Sequence, residues 1–199
     1  DAGHRVLSGQ IERGAATRLY SVVMVADLRG FTRFADETDG EEVLASLNTA
    51  LGELCDLVEA HQGEVMKFMG DGFLAIFSLE DRDPESVCAE ALAAAEAMIA
   101  ANAALNGLRA EQGLPPLVVD IALHLGELMY GNIGSSRRLD FTVIGPAVNE
   151  ASRIEALCTP LGRQLLVSES FAAACGVPLT SVGSHPLRGV ARSQELYTR

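Results

Sequence analysis

Residues 63–78 read GEVMKFMGDGFLAIFS, two apolar runs of strand length separated by Gly70-Asp71-Gly72. Turn residues between two extended-favouring runs predict a β-hairpin with Asp71 in its turn. Upstream, residues 20–27 read YSVVMVAD, an apolar run rich in β-branched residues that predicts a buried strand ending at Asp27. Between these strands, Val43, Leu44, Leu47, Leu51, Leu54 and Val58 recur at three- and four-residue steps, which predicts a helix through about His61 with Gly63 as its stop. Downstream, residues 84–111 predict a second helix with Val87, Leu92, Ala95, Ile99 and Leu105 on or near one face, and LVVDIALHLG (residues 117–126) a fourth strand.

The resulting order, βαββαβ, is that of an α+β, ferredoxin-like core. Right-handed crossover then places the third strand between the first and second, antiparallel to both. The end of the first strand meets the hairpin turn, so Asp27 and Asp71 are expected to converge. From Glu127 onward a Gly-rich stretch (YGNIGSS), a strand (FTVIG), a helix from Pro146 and short strand-like pieces to Tyr197 make a C-terminal α/β extension. Residues 1–19 read as a linker or N-terminal arm, and 20–199 as one domain.

Of the 199 residues, 48% are hydrophobic and 21% charged, enough apolar content for one real core. The alanine-rich segment between Asp83 and Gly113 is interrupted by Glu90, Glu96, Asn102 and Arg109, so no membrane span is expected in it. A net charge of −12 disfavours nucleic acid, whose recognition depends on clustered Lys and Arg. A small phosphate ligand would therefore need metal ions as intermediaries. Cys55, Cys88, Cys158 and Cys175 are widely spaced without a C-x-x-C pair, which reads as buried, reduced thiols and a cytoplasmic location. A chain opening at Asp1 without Met suggests a fragment whose upstream regulatory or membrane-tethering region lies elsewhere.

A lone Asp beside a turn is most often a cap or turn residue, but two converging carboxylates repel unless cations lie between them. Mg²⁺ typically takes one or two carboxylates together with substrate phosphates, so Asp27 and Asp71 read as a two-metal phosphoryl-transfer site. The loop LRGFT (residues 28–32) leads from strand to helix, where backbone N–H groups of Gly30, Phe31 and Thr32 could cradle phosphate, although such a turn is usually only structural. Strand alternation puts Lys67 on the face of Met69 and opposite Met66 and Phe68, and its plainest reading is a stem lying along the sheet with its ammonium in water. On the helix from Pro146, Asn149 and Arg153 share one face and Ala147, Ala151, Ile154 and Cys158 the other; Arg153 alone could be a solvated arginine.

The motifs ADLRGFT, LNTAL, EVMKFMGDG, GNIGSSRRLDFTVIG and AVNEASRIE, in this order and spacing, resemble the class III nucleotide cyclases, bacterial adenylyl cyclase type, over residues 20–199. The resemblance implies the class III cyclase fold and conversion of ATP to 3′,5′-cyclic AMP and pyrophosphate, with two divalent metals (Mg²⁺ or Mn²⁺) on Asp27 and Asp71. It further implies that Lys67 and Thr142 read adenine, that Asn149 orients the ribose, and that Arg153 stabilises charge on the α-phosphate. A homodimer with each site shared between subunits is implied as well. Many members carry Asp where Thr142 stands, and Asp or Asn where Pro146 stands. Guanylyl cyclase activity would call for an acidic residue at position 67, a diguanylate cyclase for a GG[DE]EF-like hairpin, and a silent regulatory module for loss of a metal Asp or the Arg.

Overall fold

The computed structural model describes residues 16–135, 138–190 and 192–199, with backbone alone at residues 16, 132–135 and 138–141. Strand β1 (Ala16–Arg29) is followed by helices α1 (Phe31–Glu37) and α2 (Gly40–Ala60), then by the hairpin of β2 (Glu64–Met69) and β3 (Gly72–Ser78). Helix α3 (Pro84–Glu111) leads to β4 (Val118–Ser135) and β5 (Arg138–Ile144). Helices α4 (Pro146–Glu155) and α5 (Cys158–Leu161), strand β6 (Leu165–Ser168), helix α6 (Glu169–Ala174), and strands β7 (Thr180–His185) and β8 (Gln194–Thr198) complete the chain.

The sheet runs β2-β3-β1-β4-β6-β8-β7, with β5 hairpinned onto β4. β3 therefore lies between β1 and β2, antiparallel to both, as the crossover argument requires. β1 is apolar on both sides because both sides are covered. Val22, Met24, Ala26 and Leu28 face α1, α2, α3 and α6 in the larger core, while Leu19, Val23 and Val25 pack with Ala147 and Ala151 of α4. A strand covered on both faces reads as an unbroken apolar run.

Several elements differ from the sequence-based expectations. The helix expected through His61 is two helices, because Asp39 caps a new N-terminus, its carboxylate accepting from the Glu41 N–H at 3.0 Å. β1 begins at Ala16, ahead of Tyr20, and β4 continues through the Gly-rich YGNIGSS stretch as far as Ser135, since pairing with β5 satisfies its backbone. A register shift lies between Val65 and Lys67, and on this edge strand Lys67, Phe68 and Met69 are all exposed, so both faces of its end are open. By length and composition α3 is apolar enough to cross a membrane, which its interrupting polar residues had argued against. In this fold it is a core helix: Val87, Cys88, Ala91, Leu92, Ala94, Ala95 and Met98 are buried, and Asn102 is bonded to the Leu117 carbonyl and the Val119 N–H. The four cysteines are free, three buried and Cys55 half-buried.

Candidate active site

The acidic part of the site is built by strand pairing. Asp27 on β1 lies opposite Gly72 on β3, the residue that follows Asp71, and opposite Asp120 on β4. Burial, then the charges of Asp71 and Asp120, push the Asp27 carboxyl up from 3.8 to about 6. That shift reflects burial first and then three acids close together near the end of the central strand. Asp120 has its own partners: the Arg29 Nε and Nη2 donate to its two oxygens at 2.9 and 2.6 Å, and the Thr159 hydroxyl donates at 3.0 Å. Arg29 is thereby committed to Asp120, and neither Asp27 nor Asp71 has a cationic partner among the described residues. Glu155, at the end of α4, belongs to the same field; burial, then Asp27, Asp120 and Asp71, raise it to about 7 against the opposing effect of Arg29.

This donor set fits divalent metal held together with a polyphosphate. Among the described residues no group of three or more His, Cys, Asp or Glu could hold a metal alone. A pair of hard carboxylate donors under mutual repulsion is suited to Mg²⁺ or Mn²⁺ whose other ligands are water and phosphate oxygens. Gly30 takes a left-handed conformation (φ 80°) at the start of α1, where no side chain caps the helix. Phe31 is buried and Thr32 exposed, so the loop is anchored by an aromatic ring and open on its other side.

The remaining residues lie on β2, β5 and α4. Lys67 on β2 is exposed, and Thr142 on β5 is buried with its hydroxyl lacking a partner among the described residues. β2 and β5 touch, and Gly131, which has no side chain, stands opposite Thr142. Asn149 and Arg153 line a cavity of about 480 Å³ with Gly145, Pro146, Glu150, Gly189 and Val190, and neither Asp27 nor Asp71 lines it. Gly189 (φ 75°) lies against the Arg153 guanidinium: a Cβ there would sit 3.5 Å from Nη2. The sequence reading missed Arg29, Asp120, Glu155 and Gly189. Only Asp120 left a signal, as one acid inside the apolar run LVVDIALHLG.

A family model described as "Adenylate and Guanylate cyclase catalytic domain" matches residues 17–198. The chain is 32% identical over 160 residues to an adenylate cyclase of Anabaena cylindrica, covering 80% of this chain and 32% of that protein. It is 30% identical over 195 residues to adenylate cyclase 1 of Rhizobium meliloti (strain 1021), covering 96% and 29%. The chain thus spans about a third of the length of these relatives. Among solved structures it is similar to the adenylyl cyclase CyaB from P. aeruginosa (TM-score 0.83, 25% identity, 92% of this chain and 94% of that one). It is also similar to the guanylyl cyclase Cya2 (TM-score 0.81, 30% identity, 92% of each chain).

Proposed function

Because the chain belongs to the adenylate and guanylate cyclase catalytic domain family, we propose that it converts ATP to 3′,5′-cyclic AMP and pyrophosphate at sites shared between two copies of itself. The observation that carries the reading is the acid cluster: a half-buried carboxylate pushed to about 6 beside Asp71, with Arg29 already bound to Asp120. Such a cluster is completed by cations that arrive with a triphosphate.

Asp27 and Asp71 would hold two divalent metals, and these, when bound, offset the negative charge of the triphosphate and favour ionisation of the ribose 3′-hydroxyl. The backbone N–H groups of Gly30, Phe31 and Thr32 would receive phosphate oxygens. Asn149 holds the ribose so that its 3′-oxygen faces the α-phosphate in line with the leaving pyrophosphate. The planar guanidinium of Arg153 matches the α-phosphate oxygens as charge builds there. The Lys67 ammonium donates to adenine N1, and the Thr142 hydroxyl accepts from the N6 amino group. Guanine presents N1–H to Lys67, leaving the ammonium without an acceptor, while the Thr142 hydroxyl would have to turn and donate to O6. That argument favours ATP even though a guanylyl cyclase is among the similar structures. Asn149 and Arg153 line a cavity that neither Asp27 nor Asp71 lines, an arrangement compatible with a second copy supplying the missing half. We also propose a cytoplasmic location and control by a region outside these 199 residues.

The test is turnover by the purified chain with ATP or GTP as sole nucleotide, with Mg²⁺ and then Mn²⁺, and product identified by mass. Cyclic AMP as the main product, lost in Asp27→Ala and Asp71→Ala proteins that keep the native circular dichroism, is the expected result. Cyclic GMP as the main product, or turnover surviving either substitution, would refute the reading.

A further inference from the structure

We infer that His124 is a positioning residue that seats helix α4 and thereby sets where Asn149 and Arg153 stand. The inference rests on the function proposed above. The helix has a weak start of its own. The N-cap is Gly145, without a side-chain bond, and the first turn contains no acidic residue. A helix so poorly capped takes its position from what it packs against.

Along β4, Val119, Ile121, Leu123 and Leu125 face the larger core, so alternation turns His124 and Gly126 to the opposite face, towards α4. His124 is only 7% exposed, and its Nε2 lies 3.8 Å from Oε2 of Glu150, the residue after Asn149. Gly126 makes that seat possible: a Cβ there would lie 2.8 Å from the His124 Nε2 and 2.9 Å from the Ala147 Cβ. The imidazole and the first turn of α4 therefore meet across a space that any larger residue would fill. From the other side, the Gln194 Nε2 on β8 donates to the same Glu150 Oε2 at 2.6 Å. Glu150 is thus bonded from β8 by Gln194 and lies against the His124 ring of β4, one residue from Asn149 and three from Arg153.

The imidazole is a costly way to fill space. Its Nδ1 is buried without a partner among the described residues, and burial lowers its pKa against the opposing charge of Glu150. A leucine would avoid that unsatisfied nitrogen. The ring also borders a cavity of about 440 Å³ lined in part by Glu150, Ser170, Arg192 and Gln194, through which a small molecule can reach its place.

The experiment compares wild type with His124→Ala, Glu150→Gln and Gln194→Ala, each checked by thermal melting. Steady-state kinetics are measured with and without free imidazole in the tens-of-millimolar range. Because Asn149 and Arg153 act on the transition state, while the aspartates and the loop at Gly30 hold the metal nucleotide, kcat should move far more than KM. Misplacement by a fraction of an ångström is expected to lower the kcat of His124→Ala at least ~10-fold with KM changed less than ~3-fold. Affinity for 3′-deoxy-ATP, which lacks the attacking hydroxyl, should stay close to wild type by calorimetry in Mg²⁺. Imidazole should restore kcat several-fold in His124→Ala and leave an Arg153→Ala control unchanged. Glu150→Gln, a milder change at a half-buried side chain, should lose kcat without rescue. Wild-type kcat in folded Glu150→Gln and Gln194→Ala, or a His124→Ala defect that falls on KM and ignores imidazole, would overturn the inference alone. A wild-type chain that does not cyclise ATP would overturn the proposed function and this inference with it.

Discussion

Asp27 of β1 and Gly72 of β3 face one another so closely that a methyl group at position 72 would lie 2.7 Å from the Asp27 Oδ1 and would also strike the Ala26 carbonyl oxygen. The hairpin turn can carry Asp71 up to Asp27 only because residue 72 has no side chain. Gly72→Ala should therefore cost about 1–3 kcal/mol of stability by overpacking. It should also reduce turnover at least ~10-fold by displacing the two carboxylates from each other. Thermal melting and metal-dependent turnover on the same preparation check both effects. A variant with wild-type values of each would show that the two acids do not depend on this contact.

The Asp27 carboxyl has a definite pH signature. Its native value near 6 lies above its ordinary 3.8, so the metal-free native state prefers the protonated form. The stability this group contributes is complete below about 3.8 and is lost as pH rises through 6. In chelator, Asp27→Asn should then melt about 2–4 °C above wild type at pH 8, with the gain shrinking as pH is lowered towards 4; partial exposure keeps the effect small. Protons and metal compete for the same oxygens, so turnover should fall below about pH 6 and the acid limb should move to lower pH as Mg²⁺ is raised. Glu155, near 7 in the same patch, calls for a Glu155→Gln control. An acid limb indifferent to metal concentration would contradict the assignment.

The proposed base-reading pair, Lys67 and Thr142, lets selectivity be tested apart from stability. Lys67 is exposed, so Lys67→Glu should leave melting unchanged while ATP turnover falls sharply and GTP turnover rises only slightly, Thr142 still having to donate to O6. Thr142→Val removes a buried hydroxyl that has no partner among the described residues. The variant should be as stable as wild type or more so, yet discriminate ATP from GTP less well. Competition assays with both nucleotides present read the ratio directly. An ATP/GTP ratio unmoved by either substitution would remove the pair from the base pocket.

What could be read from sequence follows from what periodicity encodes. Residues 20–27 and 63–78 announced the central strand and the hairpin because burial on both faces and a Gly-Asp-Gly turn leave local marks, and the crossover rule then brought Asp27 to Asp71. The α1–α2 break was hidden because Asp39 acts as a cap in the middle of an otherwise helical pattern. The register shift at Lys67 was hidden because bulges depend on the partner strand. The Arg29–Asp120 pair, the field around Glu155 and the meeting of His124 with α4 arise between strands and helices far apart in sequence, and no local pattern records them. The roles of Asn149, Arg153, Lys67 and Thr142 came from motif resemblance; alone, each reads as an ordinary surface or strand residue.

The central claim is that one protomer brings the acid cluster and its partner brings α4 and the base pocket. Asp27→Ala and Arg153→Ala lie in different halves of such a site, so either homodimer should be nearly inactive. Mixing and exchanging the two yields heterodimers in which one site carries both lesions and the other neither. The measurement is a mixing titration of the two purified variants, with exchange confirmed through a tag on one of them. The expected result is recovery of cyclic AMP formation that follows the heterodimer fraction, with one working site in each. Confirmed heterodimers that stay inactive would contradict the shared site and place each active site within a single chain.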